Sequence, residues 1–176
     1  QTDWQGYSVL NLSPQLSLLS PDKSTSLHDF TALDFDGVDD YVDCGNDTSL
    51  DITDAITIEA WVKPRRFVTN GTVCTKMWAY YLQVHSDGRV ACYTYWNNSG
   101  SRGNSHYTYS NSAIPLDAWA HIAFVEKTDG TREIYINGIL DKTDTAEAGI
   151  WVSTNSLCIG AQSNNIRYFN GLITEV

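Results

Sequence analysis

Along most of this chain, apolar and polar positions alternate with a period close to two. Ile56, Ile58, Ala60 and Val62 alternate with Thr57, Glu59, Trp61 and Lys63. Tyr80, Leu82 and Val84 alternate with Tyr81, Gln83 and His85, and Val90, Cys92, Thr94 and Trp96 with Ala91, Tyr93 and Tyr95. Ala120, Ile122 and Phe124 alternate with His121, Ala123 and Val125. Such a period sends successive side chains to opposite faces of an extended strand, so each run predicts a strand with one buried face. Ser86-Asp87-Gly88, Thr128-Asp129-Gly130 and Asn137-Gly138 fall between runs as hairpin turns, and Asn70-Gly71 marks a further turn. No stretch repeats at the helical period. Many short strands joined by Gly and Asn turns predict an all-β domain: an antiparallel two-sheet β-sandwich, or jelly roll.

Two stretches depart from the pattern. Residues 1–30 hold apolar pieces, Pro14, Pro21 and many serines. They read as an N-terminal arm or edge strand ahead of a sandwich over residues 31–176. Within them, residues 7–19 read either as a first strand paired inside its own domain or as a strand donated to another copy. Residues 97–112 are polar, with Tyr107 and Tyr109 interleaved, and read as a long loop. Loops carried on a rigid sheet are where binding residues collect.

Composition narrows the function classes. The 176 residues fit one domain with a core of its own. Charged residues make up 18%, below the usual quarter or so, so neutral Ser, Thr and Asn must cover the surface, as in extracellular β-rich proteins. A net charge of −10 repels phosphate backbones and excludes nucleic acid as a natural partner. No run of about 18 apolar residues is present, so no helix is expected to insert in a membrane. The even count of four cysteines, Cys44, Cys74, Cys92 and Cys158, allows disulfides in an oxidising compartment, and no CxxC pair points to zinc or thiol redox chemistry. If residues 72–76, 80–85 and 89–96 form a meander, Cys74 and Cys92 sit two strands apart, roughly 10 Å, beyond the reach of a disulfide. That leaves Cys44–Cys92 with Cys74–Cys158, or Cys44–Cys74 with Cys92–Cys158. We favour Cys74–Cys158, both lying in apolar runs; four reduced, buried cysteines are the alternative.

Six Trp and ten Tyr point to recognition of sugars. Aromatic rings stack on apolar sugar faces while amides read hydroxyls. Tyr93, Tyr95, Trp96, Asn97, Tyr107 and Tyr109 fall on one predicted hairpin and its loop and form the candidate ligand-binding set; the competing reading is that half of these rings fill the core. A glycosidase needs two carboxylates across a cleft, whereas Glu59, Glu126, Glu133 and Glu147 stand apart in sequence. No GxSxG, HExxH or P-loop occurs, and His28, His85, His106 and His121 lack metal-ligand spacing. Asp34, Asp36, Asp39, Asp40 and Asp43 crowd around Gly37, an arrangement suited to Ca²⁺, which takes oxygen ligands.

Six blocks in order complete the reading: ALDFDGVDDYVDCG at 32–45, ITIEAWVKP at 56–64, LDAWAHIA at 116–123, EIYINGIL at 133–140, LCIGA at 157–161 and FNGLITEV at 169–176. Together they resemble the laminin-G-like, concanavalin A-like jelly-roll family. The resemblance implies a structural Ca²⁺ between the Phe-Asp-Gly turn and the closing strand, with Asp36 and Glu175 as side-chain ligands, Asp40 as an extra carboxylate and the Gly171 carbonyl nearby. Thr174 stands where the family usually has Asp, and the family pattern has a further strand-forming piece beyond Val176. It also implies a secreted, non-catalytic recognition module that binds glycan or an extracellular protein. The alternative is a structural subunit that assembles with copies of itself by strand exchange. Glycoside hydrolases share the fold but carry paired acids that this chain lacks.

Overall fold

Hairpin turns and two-residue alternation fold this chain into two face-to-face antiparallel sheets, described by a computed structural model for residues 9–10, 32–98, 101–162 and 166–176. In chain order the strands are β1 (Val9–Leu10), β2 (Ala32–Asp36), β3 (Val42–Asp43), β4 (Ile56–Pro64), β5 (Gly71–Lys76), β6 (Tyr80–Val84) and β7 (Arg89–Asn98). They continue as β8 (Ser101–Ala113), β9 (Ala120–Glu126), β10 (Thr131–Ile136), β11 (Ile139–Thr145), β12 (Leu157–Ile159) and β13 (Asn170–Thr174). One sheet has the order β1-β2-β13-β4-β9-β10-β11, the other β3-β12-β5-β6-β7-β8. A single 3-10 turn at Thr48–Leu50, capped by the Asp47 carboxylate on the Ser49 amide, is the helical element among the described residues.

The alternating apolar sets become the core. Register pairs Ile58 with Phe124, Ala60 with Ile122 and Val62 with Ala120, and all six are buried. Opposite them lie Cys74, Leu82 and Cys92, aligned across β5, β6 and β7. Asn137 and Gly138 both take positive φ, the backbone of the tight turn whose twist matches its strands. Gly160 is a second enforced glycine: at φ +84° a Cβ would overlap the Phe35 ring, itself fully buried.

Two expectations change, and a third takes one of its two alternatives. The polar stretch 97–112 is not a loop: most of it is β8, paired with β7 along its length. Its inward positions are Thr108 and Ser110, buried with their hydroxyls engaged: Thr108 donates to Asp144 Oδ2 at 3.2 Å, and Ser110 Oγ accepts from the Val90 amide at 2.8 Å. Hydroxyl groups satisfied in this way replace the apolar face that would have announced a strand. The favoured Cys74–Cys158 disulfide is also absent, since all four cysteines are free thiols. The meander is as expected, but Cys74 lies opposite Ile159 and Cys158 opposite Thr75, so their side chains point to opposite faces of the sheet. Burial, with repulsion from neighbouring groups adding to it, pushes the Cys74 and Cys158 thiols up to about 12. Finally, within the segment 7–19, Val9–Leu10 pairs with β2 of the same chain, as an edge strand; the rest of that segment lies outside the described residues.

Candidate aromatic and acidic sites

The face of the six-stranded sheet turned away from the core carries a cross-strand row of tyrosines. Register aligns Tyr81 with Tyr93 and Tyr93 with Tyr107. Their rings stack, with centroids 4.0 Å and 4.1 Å apart and interplanar angles of 15° and 24°. Tyr81 and Tyr93 are buried. The Tyr81 hydroxyl accepts from the Trp78 amide at 2.8 Å and from Gln162 Nε2 at 3.4 Å, and the Tyr93 hydroxyl accepts from Arg167 Nη1 at 3.4 Å. Desolvation pushes both phenols up, so they stay neutral. Tyr93 therefore holds the row together and does not itself face solvent. Tyr107, 41% exposed, ends the row on edge strand β8. Tyr109 is half-buried beside it, with the Arg89 guanidinium 5.1 Å from its ring centre and His85 edge-on at 5.7 Å.

A second aromatic group gathers at the end of the same sheet. Tyr95 meets Trp78 edge-to-face at 5.3 Å, and its carbonyl accepts from the Trp151 amide at 2.6 Å. Trp96 bridges to Ile150 and lies across Gly103, where any Cβ would collide with its indole. Asn97 pairs through its backbone with Arg102, and its side chain lies outside the described residues. The candidate set thus divides: Tyr107 and Tyr109 form one exposed patch, Tyr95 and Trp96 belong to another, and Tyr93 is buried beneath the first.

The acidic cluster forms in part. Carboxylate oxygens of Asp36, Asp39 and Asp40 all lie within 4.8 Å of one another. Two oxygens bound to one Ca²⁺ at about 2.4 Å cannot be farther apart than about 4.8 Å, so the three carboxylates fit a single ion. The turn at Gly37 folds them together: Asp36 Oδ1 accepts from the Val38 amide at 2.7 Å, and Asp40 Oδ2 from the Asp36 amide at 2.9 Å. Asn170 donates to the Asp36 carbonyl, and Gly171 follows it at the same end of β13. Glu175 does not join them. With Asp36 opposite Asn170, Glu175 lies five positions farther along, about 16 Å at ~3.3 Å per residue.

Residues 36–176 match a laminin-G-type profile described as the concanavalin A-like lectin/glucanases superfamily. The chain belongs to that superfamily. No curated protein sequence matches it. Solved structures show the same fold at low identity. Domain 4 of AbnA, a GH43 extracellular arabinanase from Geobacillus stearothermophilus, was solved in complex with arabinotriose. It is 21% identical, with a TM-score of 0.56 over 81% of this chain and 67% of that one. The Ruminococcus gnavus IT-sialidase CBM40 bound to α2,3 sialyllactose is 15% identical, with a TM-score of 0.58 over 78% of this chain and 85% of that one. The binding domain of Paraclostridial Mosquitocidal Protein 1 is 12% identical, with a TM-score of 0.64 over 96% of this chain, which spans only 42% of that one.

In this concanavalin A-like domain three of the four glutamates weighed for catalysis have other partners. Glu59 lies 3.5 Å from His121 on the outer face of the seven-stranded sheet, and Glu133 accepts from Lys127 at 2.7 Å and from the Tyr135 hydroxyl at 2.9 Å. Glu126 is buried inside the sandwich, accepting from Arg132 Nε at 2.9 Å and the Thr94 hydroxyl at 2.7 Å. Arg132 reaches on to the His106 carbonyl at 2.8 Å. Sequence reasoning missed Trp78 and Trp151, which flank a cleft at the sheet end. Neither lies in an alternating run; the signal available was two Trp beside interrupted pattern.

Proposed function

We propose that this domain is a non-catalytic glycan-binding module acting outside the cell. The observation that carries the reading is the tyrosine row, in which two buried, hydrogen-bonded rings hold a third, exposed ring on an edge strand. A ring immobilised by its neighbours loses little entropy when a sugar stacks on it, which is the preorganisation a binding surface needs. Among the described residues β8 is the edge of its sheet, and Tyr107 is 41% exposed there. Arg89 and His85 beside Tyr109 supply donors at the rim of the patch. Structures of the same fold include carbohydrate-bound modules and a toxin binding domain, and the net charge of −10 weighs against nucleic acid. Among the described residues no helix is long and apolar enough to cross a membrane.

A structural Ca²⁺ belongs to the same proposal, held by Asp36, Asp39 and Asp40. Its role would be to neutralise three converging carboxylates and fix the turn that leads out of β2. Glycan-array binding measured with and without EDTA, for the wild type and for Tyr107→Ala, tests the function. Binding of at least one glycan class, weakened in Tyr107→Ala or in the bulky-to-small variants of the second aromatic group, is expected. An array on which the folded protein binds nothing overturns the reading.

A further inference from the structure

Trp78 occupies the turn between β5 and β6 with φ +70°. An aromatic side chain in this left-handed region is strained and persists only where its surroundings fix it. They do so here from both sides. The Trp78 amide donates to the Tyr81 hydroxyl at 2.8 Å, and the preceding Met77 carbonyl accepts from Ser153 Oγ at 2.5 Å and Asn155 Nδ2 at 3.3 Å. The buried Lys76 ammonium donates to the Asn155 carbonyl at 3.0 Å and so ties the 153–155 segment to the same turn. Trp78 held in this way is 36% exposed and lines a cleft.

That cleft, of about 320 Å³, is lined by Trp78, Trp151, Val152, Ser153, Thr154 and Asn155. Two indoles and an isopropyl group are its apolar lining; the hydroxyl of exposed Thr154 and the side-chain carbonyl of Asn155, whose Nδ2 donates to Met77 and Ser153, are polar lining. None of the six is charged, in a chain whose net charge is −10. A site for an anionic or cationic ligand would carry a counter-charge, whereas an uncharged pyranose needs an aromatic wall for its C–H face and neutral partners for its hydroxyls.

We infer that the Trp78–Trp151 cleft is a sugar-binding subsite for an uncharged sugar unit, distinct from the Tyr107 patch on the sheet face. This inference rests on the glycan-binding reading and assigns it a second location and a ligand class. The test is a glycan array carrying cellotriose, maltotriose, arabinotriose, N-acetyllactosamine and sialyllactose, followed by calorimetric titration of the strongest neutral responder. Four proteins are compared: wild type, Trp78→Gly, Trp151→Ala and Tyr107→Ala. Glycine accepts positive φ without strain, so Trp78→Gly removes the indole while the turn can keep its backbone conformation, which its near-UV circular dichroism checks. The native near-UV circular dichroism of Trp151→Ala serves as its folding control.

The expected result is neutral-glycan binding weakened at least ten-fold in both tryptophan variants. Neutral binding lost in Tyr107→Ala yet unchanged in both tryptophan variants overturns the cleft while leaving the glycan-binding function standing. Binding confined to sialyllactose overturns the uncharged-ligand assignment. Binding to none of the five overturns the function and the subsite together.

Discussion

Replacing Arg132 by methionine removes the cation from a sealed polar group and leaves Glu126 behind. Both side chains are essentially excluded from solvent, at 1% and 0% exposure. Arg132 donates to Glu126 at 2.9 Å, to the His106 carbonyl at 2.8 Å and to the Thr94 hydroxyl, while Glu126 Oε1 has no hydrogen-bond partner among the described residues. Removing one member of such a pair costs about 3–5 kcal/mol, because the other is left as an uncompensated buried charge. At roughly 2–4 °C per kcal/mol for a chain of this size, that is a fall in Tm of roughly 6–20 °C. The double variant Glu126→Leu/Arg132→Met removes the stranded charge as well, and its stability is expected within about 2 kcal/mol of wild type. Urea denaturation of wild type, both single variants and the double variant closes a cycle whose coupling term isolates the pair. Additive single effects, or an Arg132→Met loss below about 1 kcal/mol, would refute the reasoning.

Desolvation raises the Glu126 carboxyl, and the Arg132 charge opposes that rise without cancelling it. A raised acid binds its proton more tightly in the folded state. Its stabilising contribution is therefore greatest below the unfolded value and is lost as pH climbs through the folded one; the stability of wild type relative to Glu126→Gln should fall from about pH 4 upward, as followed by urea titration. Gly160→Ala combines a positive φ with overlap against Phe35, and a loss of about 2–5 kcal/mol in thermal unfolding is expected. Calcium is expected to raise the melting temperature of wild type and of Glu175→Gln but not of Asp39→Asn/Asp40→Asn, with EDTA reversing the shift; equal shifts in all three would place the ion elsewhere. With Cys44 exposed and the other thiols buried, a thiol-specific chromophore should label one cysteine rapidly in the native protein and four in denaturant.

The strands that were legible are those whose two faces differ in chemistry. Ile58, Ala60 and Val62 announced β4 because Thr57, Glu59 and Lys63 lie between them. β8 was not legible, because Thr108 and Ser110 turn inward as polar residues and hydrogen bonds replace apolar contact. For the candidate sites, residue type was readable and phase was not. Tyr93 and Tyr107 share one face and one row, yet one is buried and the other ends at an edge; that difference depends on strand order, which no local pattern records. Asp36 and Asp40 meet because one tight turn joins them, whereas bringing Glu175 to them needed the register of β13, which runs the other way. Trp78 was missed because its importance lies in a backbone angle held by Tyr81, Ser153 and Asn155.

The position of β13 has a consequence for how the molecule is made. In its sheet this strand lies between β2 and β4, which are joined to each other only through it. Its residues are translated more than a hundred positions after both of those neighbours. Until Asn170–Thr174 leaves the ribosome, β2 and β4 each present an open edge, and Phe35 lacks the strand beside it. Vectorial synthesis therefore cannot complete the seven-stranded sheet piece by piece. The domain must close it in a late, long-range step, and nascent chains stalled before residue 170 should stay protease-sensitive and prone to pair through those exposed edges.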